Sequence, residues 1–277
     1  MSVILDIARL TIRESARRRI ILGALIAAVL LFVIFAVALQ LQVMEFQGRP
    51  MSPFLRYQVE QGMLMVGLYT CDLLAVVMTI LASIDTVAGE ISSGTIHAIA
   101  TKPLARWQLL AGKYLGFAVM SACYVAVTFA GTICVSYGIT GVLPENAVVG
   151  GMLIVMECLV ALSLTFLFGT WFSTLANGVL VLGLQALAFL GGWLEQVSGF
   201  SQSAHIVTLG VWTSLIMPGE SLWRRAAFEM QTPLAASLSF SPFANVSIPS
   251  GAAVGYAALY LALACGVAVA HFNRRDL

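Results

Sequence analysis

The chain has 277 residues, of which 60% are hydrophobic and 10% charged, and its net charge is +1, whereas soluble domains run at about 45–50% apolar and about 25% charged. A core of this size has no room for so much apolar surface, so lipid must cover the excess and a water-soluble enzyme is excluded. The near-zero net charge leaves no global field to draw nucleic acid.

Residues 1–19 read as an amphipathic helix. Asp6, Arg9, Arg13 and Arg17 recur at spacings of three and four and share one face, while Ile4, Ile7, Ala8, Thr11 and Ile12 lie on the other and Leu10 fits poorly. Such a helix is expected to lie in the membrane interface with its basic face toward anionic headgroups, the plainer alternative being a charge cluster that only sets topology. A membrane span needs roughly 20 apolar residues. That window predicts spans at 20–43, 63–87, 114–138, 149–172, 176–195 and 251–271. The expected fold is all-α and polytopic, a single membrane domain of six transmembrane helices over 1–277.

The connections differ in character. Residues 44–62 are polar and hold Gly48, Pro50 and Pro53. Segment 89–112 runs from Glu90 through small residues to a short apolar stretch, then Lys102-Pro103 and Arg106. Pro103 is expected to end the stretch before it. Ile96, Ile99 and Ala100 share a face that calls for a protein groove. Only Ser173–Thr174–Leu175 separate the fourth and fifth spans, which predicts an antiparallel pair. Within 196–250, His205–Met217 is apolar but 13 residues long, too short to span, and fits a re-entrant or interfacial piece. Pro218-Gly219 ends it, and ESLWRRAAFEMQ follows as an amphipathic piece with Trp223 expected at headgroup level.

Lys and Arg set the orientation, because cytoplasmic loops retain them. With six spans, Arg9, Arg13, Arg17, Arg18, Arg19, Lys102, Arg106, Lys113, Arg274 and Arg275 fall on one side, against Arg49, Arg56, Arg224 and Arg225 on the other. Both termini are therefore expected in the cytoplasm.

Two acids lie well inside spans, Asp72 in the second and Glu157 in the fourth. Each sits about nine residues, or roughly 13 Å, from the outer end of its helix, so their depths should match. A carboxylate in lipid costs about 2.5 kcal/mol or more, and no Lys or Arg shares that depth. A polar cavity, a subunit interface, hydroxyls such as Tyr69, Thr70 or Ser163, or a bound proton would have to accommodate them. Two readings stay open, a lining of a transport path or a structural hydrogen bond between helices. Asp85 belongs with Glu90 near the loop, and Asn177 and Gln185 read as interhelical hydrogen-bonders.

Cys71, Cys123, Cys134, Cys158 and Cys265 show neither a disulfide nor a zinc spacing and read as small buried hydrophobes. Met44, Met51, Met63 and Met65 offer thioethers of the kind that suit Cu(I), but gap-filling is the plainer reading of methionine, and no metal site is assigned. His97, His205 and His271 have no GxSx partner, which argues against an intramembrane hydrolase. The absence of an internal repeat and of proline inside any span argues mildly against an ATP-independent secondary transporter or channel, which remains the alternative.

Several features in order carry a resemblance. They are the basic helix TIRESARRRI, then Glu90, Gly94-Thr95, Pro103, Arg106 and Gly112-Lys113. Met217-Pro218 to Leu222-Trp223-Arg224 and the terminal Phe272-Asn273-Arg274-Arg275-Asp276-Leu277 complete the series. Over essentially its whole length the chain resembles the permease subunits of ABC-2 class ATP-binding-cassette transporters, in the broad group that includes permeases linked to multicopper-enzyme maturation. The resemblance implies an elbow helix at 1–19 carrying Arg9, Arg13 and Arg17, six spans, and re-entrant helices in the external segment 196–250. It implies a coupling element in 89–112, where Glu90, Gly94, Thr95, Ile96, Ile99, Pro103 and Arg106 would meet an ATPase subunit. It further implies export, with two permeases, alike or different, on two ATPases in a bacterial or archaeal inner membrane. Asp72 and Glu157 would be candidates for the substrate path. ATP and Mg would sit on the partner and no cofactor on this chain, which has no GxxxxGK[ST] phosphate loop and no soluble stretch of the roughly 200 residues a nucleotide domain needs. The cargo stays open.

Overall fold

In hydrocarbon every backbone N–H and C=O must find a partner within the protein, so long apolar runs become helices. The computed structural model describes residues 2–17, 19–47, 52–92, 105–201, 204–232 and 248–274, and every regular element among them is a helix. In chain order these are α1 (Ser2–Ala16), α2 (Arg19–Gln47), α3 (Pro53–Ser83), α4 (Asp85–Ser92), α5 (Arg106–Thr140), α6 (Ala147–Gly169), α7 (Thr174–Ser201), α8 (Ala204–Ile216), α9 (Gly219–Met230) and α10 (Gly251–Arg274). Six helical stretches among the described residues are long and apolar enough to cross a membrane: α2, α3 continued through α4, α5, α6, α7 and α10. The molecule is an all-helical polytopic membrane protein.

Helix ends lie beyond the apolar windows because capping, not hydropathy, sets them. α3 begins at Pro53, inside the segment read as a polar connection. Ser52 caps it, its Oγ accepting from the Leu55 N–H at 3.3 Å, and Pro53 takes the first turn, where a missing N–H costs nothing. Arg56 donates to Glu60 at 2.8 Å one turn later. α5 begins at Arg106, inside the segment read as a loop, where the Gln108 side chain accepts from the Ala105 N–H at 3.3 Å. It ends at Gly141, whose φ of 74° is the left-handed cap that glycine adopts without strain.

Hydrogen bonds and ring contacts define the two ends of the bundle. At the end that carries α1, Thr174 Oγ1 donates to Asp85 Oδ1 at 3.1 Å, and Trp171 packs edge-on against His271 at 5.5 Å. At the far end, the Glu145 and Asn146 N–H groups donate to the Met230 and Glu229 carbonyls at 3.2 and 3.3 Å. Gln61 Nε2 reaches the Met230 carbonyl at 3.3 Å, and deeper in the bundle Tyr256 and Tyr260 bond the Leu215 and Ile216 carbonyls.

α6 is the central post. Residues 160–166 are buried without a break, which a helix shows only when protein covers all its faces. α3, α5, α7, α9 and α10 surround it. α2 packs on α3 and α5 with one face and presents Leu22, Leu25, Val29, Val33 and Ile34 outward.

The faces of α1 divide as the sequence suggests, with Asp6, Arg9, Arg13 and Arg17 exposed and Ala8 and Thr11 buried beside half-buried Ile4, Ile7 and Ile12. What covers the buried face differs from a helix resting on lipid alone. It lies across the first turns of α5 at Gly112 and Gly116. A side chain there would meet Ile7 Cβ at 2.7 Å and Thr11 Cβ at 2.9 Å, with the Ile4 and Ala8 carbonyl oxygens at 3.0 Å. Two glycines four apart open a groove in which two backbones come close. Leu10 faces outward at 64% exposure.

Candidate functional site

The apolar sequence His205–Met217 forms α8 up to Ile216, and α9 returns antiparallel to α6. Met230 and Glu229 bond the start of α6 at the far end, while Gly219, the first residue of α9, lies against Glu157. Glu157 follows Asn146 by eleven residues of helix, so the tip of the α8–α9 pair reaches about 16 Å into the bundle at 1.5 Å per residue. Met217, at that tip, is fully buried.

This re-entrant pair brings a third acid to the two that the sequence singles out. Asp72 of α3, Glu157 of α6 and Glu220 of α9 are 3%, 1% and 6% exposed; Gly219, next to Glu220, lies against Glu157, and Glu220 is bonded by Tyr69, three residues before Asp72.

The three carboxylates are held differently. Glu157 Oε1 accepts from Gln185 Nε2 of α7 at 2.8 Å. It also abuts Gly219, where an added Cβ would lie 2.9 Å from it, at the positive end of α9. Glu220 Oε2 accepts from the Tyr69 hydroxyl at 3.5 Å, and the Glu220 stem lies on Gly192 of α7. Asp72 Oδ1 is buried with no hydrogen-bond partner. Glu157 Oε2 and Gln185 Oε1 are likewise buried without one.

Aromatic rings flank the acids. Tyr69, one turn before Asp72 on α3, packs on Trp223 at 4.8 Å between centroids and on Phe189 at 6.2 Å, and Phe189 lies 6.1 Å from Trp193. Arg224 follows Glu220 by one turn of α9, is also buried, and reaches Ser214 of α8 at 3.4 Å.

Several expectations are corrected here. Trp223 is not at a headgroup level but 2% exposed beneath Tyr69. The hydroxyls expected to serve Asp72 and Glu157 are engaged elsewhere: Thr70 donates to the Val66 carbonyl at 2.9 Å, Ser163 to the Val160 carbonyl at 2.7 Å, and Tyr69 to Glu220. Cys71 and Cys158 are buried, but Cys123 and Cys134 are exposed on the apolar surface and Cys265 is half-buried. Met44 is exposed and Met65 buried, and Met51 lies outside the described residues. Gln185 and Asn177 do join helices as expected. Asn177 Nδ2 donates to the Ile84 carbonyl at 3.3 Å and the Thr165 carbonyl at 3.0 Å.

Gly94, Thr95, Ile96, Ile99 and Pro103 lie outside the described residues. The segment that holds them leaves α4, which contains Glu90, and enters α5 at Arg106. Val87 and Ala88 of α4 lie against Gly169 of α6. Arg9 and Arg13 lie on the exposed face of α1, and Arg17 is exposed directly after its end.

Sequence reasoning missed Glu220. Its one signal was an acid placed directly after Pro218-Gly219, the break at the end of an apolar piece too short to span.

The Gln185–Glu157 bond makes a direct prediction. Glu157→Leu strands the Gln185 amide and should cost about 1–3 kcal/mol. Glu157→Gln keeps an acceptor oxygen and should cost less. Thermal unfolding of the two purified variants checks the order.

A search of the curated proteins finds no match. The model of a protein family described as ABC-2 family transporter protein matches residues 5–277, nearly the whole chain. By that match, the chain belongs to the ABC-2 family of transporter proteins.

Proposed function

We propose that this chain is the permease subunit of an ATP-binding-cassette exporter, driven by a separate ATPase that docks on segment 89–112. Glu90, Gly94, Thr95, Ile96, Ile99, Pro103 and Arg106 form the contact, and ATP with Mg binds only on the partner. Both termini face the cytoplasm of a bacterial or archaeal cell, and two permeases work with two ATPases. Asp72 and Glu157 line the substrate path, and Arg9, Arg13 and Arg17 set α1 against anionic headgroups.

The observation that carries this reading is how the docking segment is tethered. Where it leaves, α4 is packed on α6 and tied to α7 through Asp85 and Thr174. Where it returns, the first turns of α5 are held by α1 at Gly112 and Gly116. A push on the segment is thereby delivered to the central helix and to the elbow together, as a rigid-body shift between two states needs. Energy for that shift comes from differential binding on the partner, because a two-state equilibrium moves only by the difference in affinity for its states.

Co-purification tests it. The chain should retain an ATPase, and transport in proteoliposomes should require ATP. Ile96→Asp with Ile99→Asp should release the ATPase while the permease still folds. Transport by the chain alone, with no ATPase present, overturns the reading.

A further inference from the structure

We propose that the cargo of this path is an organic cation, a quaternary or protonated amine, recognised by Asp72 and the carboxylates Glu157 and Glu220 together with the rings of Tyr69, Trp223 and Phe189. The proposal rests on the reading that the path runs between α3, α6 and α9, and it assigns the class of molecule that the path takes.

Charge is the first argument. Each carboxylate inside a membrane costs about 2.5 kcal/mol or more, and Glu220, tied to Tyr69 one turn before Asp72, adds another acid to that region. Among the described residues neither Asp72 nor Glu157 has an ion pair, and the nearby Arg224 is one cation beside three acids. A permanent structural role would be expected to satisfy each carboxylate with donors. Glu157 has Gln185 and Glu220 has Tyr69, but Asp72 is 3% exposed and nothing donates to its buried Oδ1. An incoming cation supplies the missing counter-charge.

The aromatic rings supply the second, independent argument. The rings of Trp223 on α9 and Phe189 on α7 lie with centroids 4.8 and 6.2 Å from that of Tyr69, which stands one turn before Asp72 on α3. Ring faces attract large, weakly hydrated cations, and quaternary ammonium groups are the ligands that such clusters select. A bare metal ion is a poorer fit, since no three His, Cys, Asp or Glu side chains among the described residues are grouped to ligate one.

Glu220 and Trp223 both sit on α9, at the inner end of the α8–α9 pair.

The test uses the full chain, without the ATPase, in lipid nanodiscs. Choline and tetraethylammonium are titrated against 3,3-dimethyl-1-butanol, the uncharged carbon analogue of choline. Tryptophan fluorescence and the melting temperature are read. The cations should give a saturable fluorescence change and raise the melting temperature, as a ligand of the folded state must. The alcohol should do neither at the same concentrations. Asp72→Asn should fold at least as well without ligand, because it removes an unsatisfied buried charge, and should bind the cations about tenfold more weakly or worse, the equivalent of 1.4 kcal/mol. Equal responses to choline and the alcohol overturn the proposal in favour of a merely apolar pocket. So does wild-type affinity in Asp72→Asn, or no response to either cation. Because no ATPase takes part, such a failure leaves the coupling reading standing, and a failed co-purification leaves this measurement untouched.

Discussion

Trp223→Ala is expected to be the most destabilising single substitution in the re-entrant region, at about 3–5 kcal/mol. Trp223 is 2% exposed and among the largest fully enclosed side chains of the molecule. Its ring lies 4.8 Å from that of Tyr69, and its neighbours on α9, Leu222, Ala226 and Ala227, are buried with it. Truncation opens a cavity that helices fixed at their far ends by the Met230 and Glu229 bonds cannot close. The loss has a second consequence. Tyr69 holds Glu220 through its hydroxyl, and with one wall gone its ring can turn, so that contact loosens too. Trp223→Phe retains an aromatic surface and should recover a large part of the stability. Thermal unfolding in detergent gives the order of the three proteins. A Trp223→Ala protein that melts with the wild type would mean that the α8–α9 pair does not pack in the bundle as described.

Gly116→Leu is the second. A Cβ there would lie 2.9 Å from Thr11 Cβ and 3.0 Å from the Ala8 carbonyl oxygen. The oxygen is backbone and cannot rotate away, so α1 has to lift off α5. Overpacking of this kind costs about 1–3 kcal/mol. Under the coupling reading, lifting α1 also removes one of the two tethers of the docking segment. ATP-driven transport should then fall more than the amount of folded protein. Gly138→Leu is the control, because it lies on the same helix with nothing within 4 Å of an added Cβ. Limited proteolysis next to α1, with transport measured per folded molecule, separates the outcomes. Equal behaviour of the two leucine variants would show that the α1–α5 crossing has no mechanical role.

These two predictions draw on different levels of the molecule. Gly112 and Gly116 are visible as a small-residue pair in the sequence, and the apolar face of α1 is visible as a periodicity. Their meeting is not, because a helical face reports only that something covers it. The same holds for Trp223. Its neighbours Glu220, Arg224 and Arg225 give α9 an amphipathic, charge-bearing sequence that reads as a surface helix. The structure nevertheless buries Glu220 and Arg224 along with the ring, since α9 is laid along α6 and its first turn is pushed into the bundle.

Asp72 and Glu157 show where legibility stops. Their presence inside spans and their similar depth follow from counting residues along helices of fixed rise. That Glu157 is tied to Gln185 while Asp72 Oδ1 has no partner depends on how α3, α6 and α7 are rotated about their axes, which one-dimensional spacing does not encode.

The sequence by itself determined that this is a membrane protein of six apolar spans with a basic amphipathic start and a short apolar piece between the last two. Length, hydropathy and helical periodicity are local properties, and a bilayer filters directly for them. Only the tertiary structure decided which residues meet at the centre. Glu220 and Trp223 reach Tyr69, beside Asp72, and Gly219 reaches Glu157, because the α8–α9 pair turns back about 16 Å into the bundle, against the glycines of α7. That turn is set by close packing between segments far apart in the chain, and it places three carboxylates and a group of aromatic rings where the sequence had shown two isolated acids.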